Sequence, residues 1–282
     1  MAFSAIAATN SSVENTATLT HVVDLPAGIV AGNLIKLFFW LNGSDATVLD
    51  YIPTGWTELD ESGGVPRTVI LARIADGTEG STVTLNQDPA TAARQSAAVT
   101  LRITGWHGTT MPEISAVSSG TGTTASSRDL NPAGWGTEDT LWLTTLIADY
   151  DSGSDAITAI PAGYTVADTI AQGTNGVVHV AYKESAAAND NPGDYTLAVS
   201  QQYKAFTLAI RPSAVTTHAA TGALTAQAAT VSGTSAVIKK HAATGSLTAQ
   251  SATVTGAAAV IKKHDATGVL TSQDATIAGS AA

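Results

Sequence analysis

Apolar and polar residues alternate with a period of two through most of the first 212 positions of this chain, and no stretch sustains an apolar period of 3.6. Short runs rich in Val, Ile, Leu and Thr are broken every 8 to 15 residues by clusters of Gly, Asn, Asp and Pro, which predicts antiparallel strands joined by turns. The alanine-rich Ala97-Ala-Val-Thr-Leu-Arg-Ile103 reads better as a strand than as a helix, because Ala97, Val99, Leu101 and Ile103 fall on one face. The longest aliphatic and aromatic run, Leu34 to Leu41, is interrupted by Lys36. It is strand-sized and too short to cross a bilayer.

The same pattern occurs twice. Asp24-Leu-Pro-Ala-Gly28 matches Leu130-Asn-Pro-Ala-Gly134, and Leu34-Ile-Lys-Leu37 matches Thr140-Leu-Trp-Leu143. Gly43-Ser-Asp-Ala46 returns as Gly153-Ser-Asp-Ala156, and Pro53-Thr-Gly-Trp-Thr57 as Pro161-Ala-Gly-Tyr-Thr165. Val69–Arg73 matches Val178–Tyr182, and Val99–Ile103 matches Phe206–Ile210; the offset stays between 106 and 110. Two related halves follow, about 1–108 and 109–212. Half-buried strands must close against a second sheet. The short connection between the halves favours one jelly-roll-like β-sandwich, with each half supplying a sheet, over two small sandwiches. The expected fold class is therefore all-β.

From 213 to 282 the pattern changes. A 23-residue unit starting at His218 returns at His241 and His264; the first two copies agree at 18 of 23 columns, the third with the second at 12 of its 19. A fixed period of this size is the signature of stacked units that bury their apolar faces only against neighbours. The repeat positions expected to carry assembly, His218, Leu224 and Val231, recur as His241, Leu247 and Val254 and as His264, Leu270 and Ile277, with the histidine opening each unit. Three short strands per unit suit a rung of a β-solenoid, an intertwined trimeric shaft or a hairpin module. The segment holds only twelve Val, Leu or Ile in 70 residues and no aromatic. At about 1.5–3 kcal/mol per fully buried aliphatic side chain, that is too little to offset the ordering entropy of the segment alone. It should lean on sister chains or other proteins, which predicts a homo-oligomer, a trimer among the options.

Charge sharpens the division. Up to Pro212 there are 9 Lys+Arg against 21 Asp+Glu, whereas from Ser213 onward there are four lysines against two aspartates. So acidic a body repels phosphate backbones and argues against a nucleic-acid partner. The N-terminus lacks the basic and apolar regions of a signal peptide, so the expectation is synthesis in the cytoplasm without membrane attachment. There is no cysteine, hence no disulfide and no thiol chemistry.

Candidate chemistry is sparse. No Gly-x-Ser-x-Gly, His-Glu-x-x-His or P-loop pattern occurs, and the expectation is a protein that is not an enzyme and needs no cofactor. The rings of Trp56, Trp106, Trp135 and Tyr164 have two readings, as packing residues or as exposed platforms for stacking on glycans. Asp149, Asp151 and Asp155 flank a glycine and could hold Ca²⁺ weakly through carboxylate oxygens, but no glutamate stands at the twelfth position to close an EF-hand loop. The competing reading is an acidic hairpin tip. The repeated histidines read either as strand-start residues or, in a trimer, as rings of imidazoles able to bind a transition metal.

The body, through Gly32-Asn-Leu-Ile-Lys-Leu37, Pro53-Thr-Gly-Trp-Thr57, Asp139-Thr-Leu-Trp-Leu143, Asn191-Pro-Gly-Asp194 and Ala205–Pro212, resembles a β domain of structural proteins in tailed bacteriophages. The His-x-Ala-Thr-Gly-x-Leu repeat is similar to one that recurs in such virion proteins. The resemblance implies a virion component that associates with other capsid or tail proteins and carries no catalytic residues. A capsid decoration or head fibre fits a short chain with an acidic body; the alternative is a tail fibre or glycan-binding adhesin.

Overall fold

The computed structural model describes residues 3–149, 157–173 and 175–213, and short strands between 218 and 278. Residues 2–213 form one compact unit and 214–282 belong to another. Every regular element among the described residues is a strand.

In the body, the first half contributes β1 (Ala5–Thr18), β2 (Thr20–Asp24), β3 (Leu34–Leu41), β4 (Thr57–Ser62), β5 (Arg67–Ile74), β6 (Thr82–Asn86) and β7 (Arg94–Thr104). The second contributes β8 (Glu113–Ile114), β9 (Ser118–Ser126), β10 (Glu138–Asp149), β11 (Ile157–Ala159), β12 (Thr165–Gln172), β13 (Gly176–Ala187) and β14 (Asp194–Ile210). One sheet runs β1-β7-β3-β5-β4; the other runs β14-β10-β13-β12, with β9, β8 and β11 also paired to β14. With β9 in the place of β1, the two halves have the same strand order, so the duplication read from sequence is also one of structure.

A single apolar core lies between these sheets. It joins Leu34, Phe38, Trp40, Ile70, Val99 and Leu101 to Leu141, Leu143, Ile147, Val180, Phe206 and Leu208. The halves are thus two sheets of one sandwich, as the short connection implies. β1 packs near β12 and β4 near β8, so each edge faces the opposite edge of the related sheet, the arrangement of an approximate two-fold. The connectivity is simpler than a jelly roll: each sheet is drawn from one half, whereas jelly-roll strands pass back and forth between sheets.

Buried strands explain the continuous apolar run of β3. All eight of its residues are buried, because its far face is covered as well. There Ile35, Leu37, Phe39 and Leu41 pack with Val23, Val48, Trp56 and Leu85, supplied by the antiparallel β2–β6 pair and the loop before β4. A strand buried on both faces loses the polar alternation of a half-exposed one.

The ladders correct two of the sequence matches. Leu34 pairs with Ile103 and Leu141 with Ile210, so Leu34 corresponds to Leu141 rather than Thr140. Thr57 pairs with Ala72 and Thr165 with Tyr182, which sets Ile70 against Val180 and Val69 against His179. Each match is out by one residue, enough to exchange the two faces of a strand. Both halves carry a bulge at the same place, between Glu58 and Asp60 and between Val166 and Asp168. It distorts strands at the sheet edge, which discourages pairing with another chain.

In the other unit, β15 (His218–Ala220), β17 (His241–Thr244) and β20 (His264–Thr267) form one sheet. β16 (Thr230–Val231), β19 (Thr253–Thr255) and β22 (Thr276–Ala278) form a second, and β18 (Leu247–Thr248) pairs with β21 (Leu270–Thr271). All of these pairings are parallel and join equivalent residues of successive repeats: His218 to His241 to His264, Val231 to Val254 to Ile277, and Leu247 to Leu270. Hairpin modules would pair antiparallel; parallel pairing at an offset of one repeat is that of stacked rungs. Leu224 and Ala236–Ile238 lie outside the described residues.

Candidate functional site

The four candidate rings serve the body's interior. Trp56, Trp106, Trp135 and Tyr164 are 8, 5, 7 and 7 % exposed, so none offers an open face for a sugar. Trp56 and Tyr164 close turns in which their backbone N–H donates to the carbonyl of Pro53 (3.0 Å) and Pro161 (3.2 Å). Gly55 and Gly163 take φ of +82° and +80°, the positive value that position i+2 of a type II turn requires. Proline sits at position i, so Thr54 and Ala162 occupy the position expected of proline. Pro132-Ala-Gly-Trp135 closes in the same way, at 3.5 Å with Gly134 at +75°. This third copy is visible in the sequence as Pro-Ala-Gly-Trp but was masked by its match to Pro26-Ala-Gly28.

Three of the four rings then meet a polar partner, while Trp56 packs in the apolar cluster over β3. Tyr164 donates its hydroxyl to Asp190, which also pairs with Lys183, and the Lys183 ammonium lies 4.9 Å from the Tyr164 ring centroid. Burial first, then Asp190, pushes the Tyr164 hydroxyl well above its usual range, so it remains a neutral donor. Trp106 donates Nε1–H to the Gly32 carbonyl at 2.8 Å. The Arg211 guanidinium lies 5.7 Å from the Trp135 ring and forks onto Glu138 at 2.8 and 2.5 Å. Tyr51, at 55 %, is the aromatic ring most open to solvent among the described residues.

Of the candidate calcium ligands, Asp149 lies at the end of β10, where Trp40 Nε1–H donates to its Oδ1 at 3.1 Å. Asp151 and Asp155 lie outside the described residues. No group of three or more His, Asp or Glu able to hold a metal occurs among the described residues. A cavity of about 430 Å³ between the loops that follow β2 and β5 is lined by Asn10, Pro26, Gly28, Gly77, Glu79 and neighbouring residues. Its one carboxylate, Glu79, is engaged by Arg73 Nε–H at 3.1 Å and by the backbone N–H groups of Asp76 and Gly77 at 2.6 and 3.0 Å. The cavity therefore presents no free acid or base.

Four buried amines or imidazoles were not predicted as a group. Lys36 is fully buried between the sheets, its Nζ without a hydrogen-bond partner, and burial holds its pKa well below the usual lysine value. His179 is 4 % exposed; Nδ1 meets the Thr169 hydroxyl at 2.5 Å, Nε2 is buried unpaired, and burial brings its pKa down to about 4. His21 is lowered by burial too, opposed by Gln87 and Glu14, with Nδ1 against Ser96 Oγ at 2.9 Å. Lys204 donates to the carbonyls of Ser62 (2.8 Å) and Gly63 (2.6 Å), tying β14 of the second sheet to the β4–β5 turn of the first; burial brings it to about 8. The signals for Lys36 and His179 were their places inside the apolar runs Leu34–Leu41 and Val177–Ala181, while nothing local marks His21 and Lys204. These groups are scattered through separate parts of the sandwich and form no acid–base pair.

Comparison of the chain with protein-family models, with curated proteins and with solved structures finds no match. The residues that the fold does bring together are those of the repeats: the histidines, the leucines of β18 and β21, and the Val231, Val254 and Ile277 positions each fall into register.

Proposed function

We propose that this chain is a non-enzymatic virion structural protein of a tailed bacteriophage, an exposed capsid decoration or head fibre that assembles through its repeats. The observation that carries the reading is the parallel pairing of the repeats at an offset of one unit. Each added repeat adds a rung, so repeat number sets length without altering the body, which suits a part that projects from or spaces a surface. The body supports it differently: its rings and most buried ionisable groups are committed to packing and to tying two sheets together, as a scaffold requires. The resemblance of the body and of the repeats to phage structural proteins supplies the setting.

Two measurements test this reading. Particles induced from the strain that encodes the chain should contain it by mass spectrometry, with gold-labelled antibody to the body decorating heads. Absence from purified particles sinks the proposal, and label confined to the tail tip sinks the placement. A chain ending at Ser213 should lose the homo-oligomer in light scattering; an unchanged oligomer would show that the repeats do not assemble it.

A further inference from the structure

We infer that the cavity between the loops that follow β2 and β5 is a binding slot for an uncharged aromatic ring of indole size, presented by another molecule. The duplication supplies the ligand. Pro26-Ala-Gly28-Ile29 and Pro132-Ala-Gly134-Trp135 hold the same place in the two halves, with Gly28 at φ +72° and Gly134 at +75°. The facing walls are equivalent too. Thr57 pairs with Ala72 and Thr165 with Tyr182, so five residues further on Gly77 corresponds to Ala187. In the second half the Trp135 indole is 7 % exposed and lies in one cluster with Leu130 and Trp142, against which Ala187 packs. The first half has Ile29 in place of Trp135 and, since Leu34 corresponds to Leu141, Ile35 in place of Trp142. Two indoles give way to two smaller aliphatic chains, and a cavity of about 430 Å³ remains between the loops. That volume lies within the range of about 300–1,000 Å³ usual for ligand sites.

The lining selects an uncharged ring. Pro26, Ala27 and Ile29 offer apolar contact, and Gly77 and Gly80 leave the facing wall bare; a Cβ on Gly80 would meet nothing within 4 Å. The polar side chains are already engaged within the protein. Asn10 Nδ2–H donates to the Leu25 carbonyl at 3.1 Å, and Glu79 is held by Arg73 and two backbone N–H groups. The walls therefore supply shape and apolar surface, which a flat ring buries at little conformational cost. Arg102, which stands where the second half has Ala209, does not close the cavity. Its Nη2 lies behind Gly28, 3.5 Å from where a Cβ would stand, and it is not among the lining residues. The repeats cannot fill the slot with a ring of their own, because no aromatic residue follows Pro212.

The test uses indole itself as the probe. The full chain, isotope-labelled, is titrated with indole and followed by saturation-transfer NMR and by its own amide shifts. The expected result is saturable binding with a dissociation constant of about 1 mM or below, and shifts concentrated at Gly28, Ile29, Gly77 and Gly80. Cyclohexanol, a ring without a π face, should move those amides far less at the same concentrations. Ile29→Trp gives the first half the ring that the second already carries. It should raise Tm, as cavity filling does, and weaken indole binding at least about tenfold by occupying the slot. No binding by the parent, shifts confined to other residues, equal shifts with cyclohexanol, or a folded Ile29→Trp chain that binds indole like the parent would overturn the inference. Should Ile29→Trp fail to fold, the amide shifts of the parent decide the matter alone.

Discussion

Lowering the pH should charge His179, and the cost follows from its surroundings. The imidazole is 4 % exposed, faces the Tyr195 ring edge-on at 5.5 Å and touches the Thr169 hydroxyl, with no carboxylate to favour the cation. Burial brings its pKa down to about 4 in the fold from the ordinary value of 6.5. Because the folded value is the lower one, the unfolded chain takes up the proton first. Stability is therefore intact above about pH 6.5 and declines as pH falls through 4. At about 1.4 kcal/mol per unit, the difference amounts to about 3 kcal/mol once both states are protonated, and about 2 kcal/mol at pH 5. For a body of this size about 3 kcal/mol corresponds to roughly 6–12 °C in Tm. The assay is urea unfolding followed by tryptophan fluorescence at pH 7.5, 5 and 4, comparing the parent with His179→Val. Valine is the residue at the equivalent position of the first half, Val69, and Thr169 is exposed and can turn to water. The variant should lose less stability than the parent between pH 7.5 and 4, by about 3 kcal/mol. His21, also lowered by burial, remains in both proteins, so its contribution cancels. Parallel pH profiles for the two would refute the argument.

Other predictions follow from the same packing. Lys36→Met removes an unpartnered buried amine and should raise stability by about 1–3 kcal/mol; the equivalent residue of the second half is Leu143, and a lowered urea midpoint would contradict this. Lys204→Met should lower stability by about 1–3 kcal/mol through the loss of two hydrogen bonds that join the sheets, seen as an earlier urea midpoint. Since Lys204 is depressed to about 8 from 10.5, the unfolded chain holds more protons between those values, so the parent should gain stability from pH 8 to 10 relative to that variant. Gly163→Ala meets only the Lys183 Cδ at 3.8 Å and should cost about 1 kcal/mol for its left-handed backbone. Gly55→Ala also approaches Arg73 Nη1 to 2.9 Å, and its Tm should fall further.

The structure also separates residues that the sequence treats alike. A tryptophan in a Pro-x-Gly turn is equally legible as a platform or as a plug, because one-dimensional pattern fixes the turn but not what lies over it. Trp56 became a plug when the loop bearing it covered the outer face of β3. Lys183 and Asp190 are ordinary charged positions until a strand and a loop bring them to the Tyr164 ring.

Period-two alternation, the turn residues and the two internal repeats were sufficient to determine an all-β chain with a duplicated body and a triplicated tail, because these are local or self-comparing properties. Which face each strand presents was decided only by the ladder. A one-residue slip leaves composition unchanged while exchanging core for surface, and both Leu34 with Thr140 and Val69 with Val178 were displaced by that slip. The direction of pairing in the repeats was likewise left to the tertiary structure. Identical strands can pair parallel or antiparallel on propensity alone, and it is the hydrogen-bond partner one repeat away that sets Val231 beside Val254 and His218 beside His241.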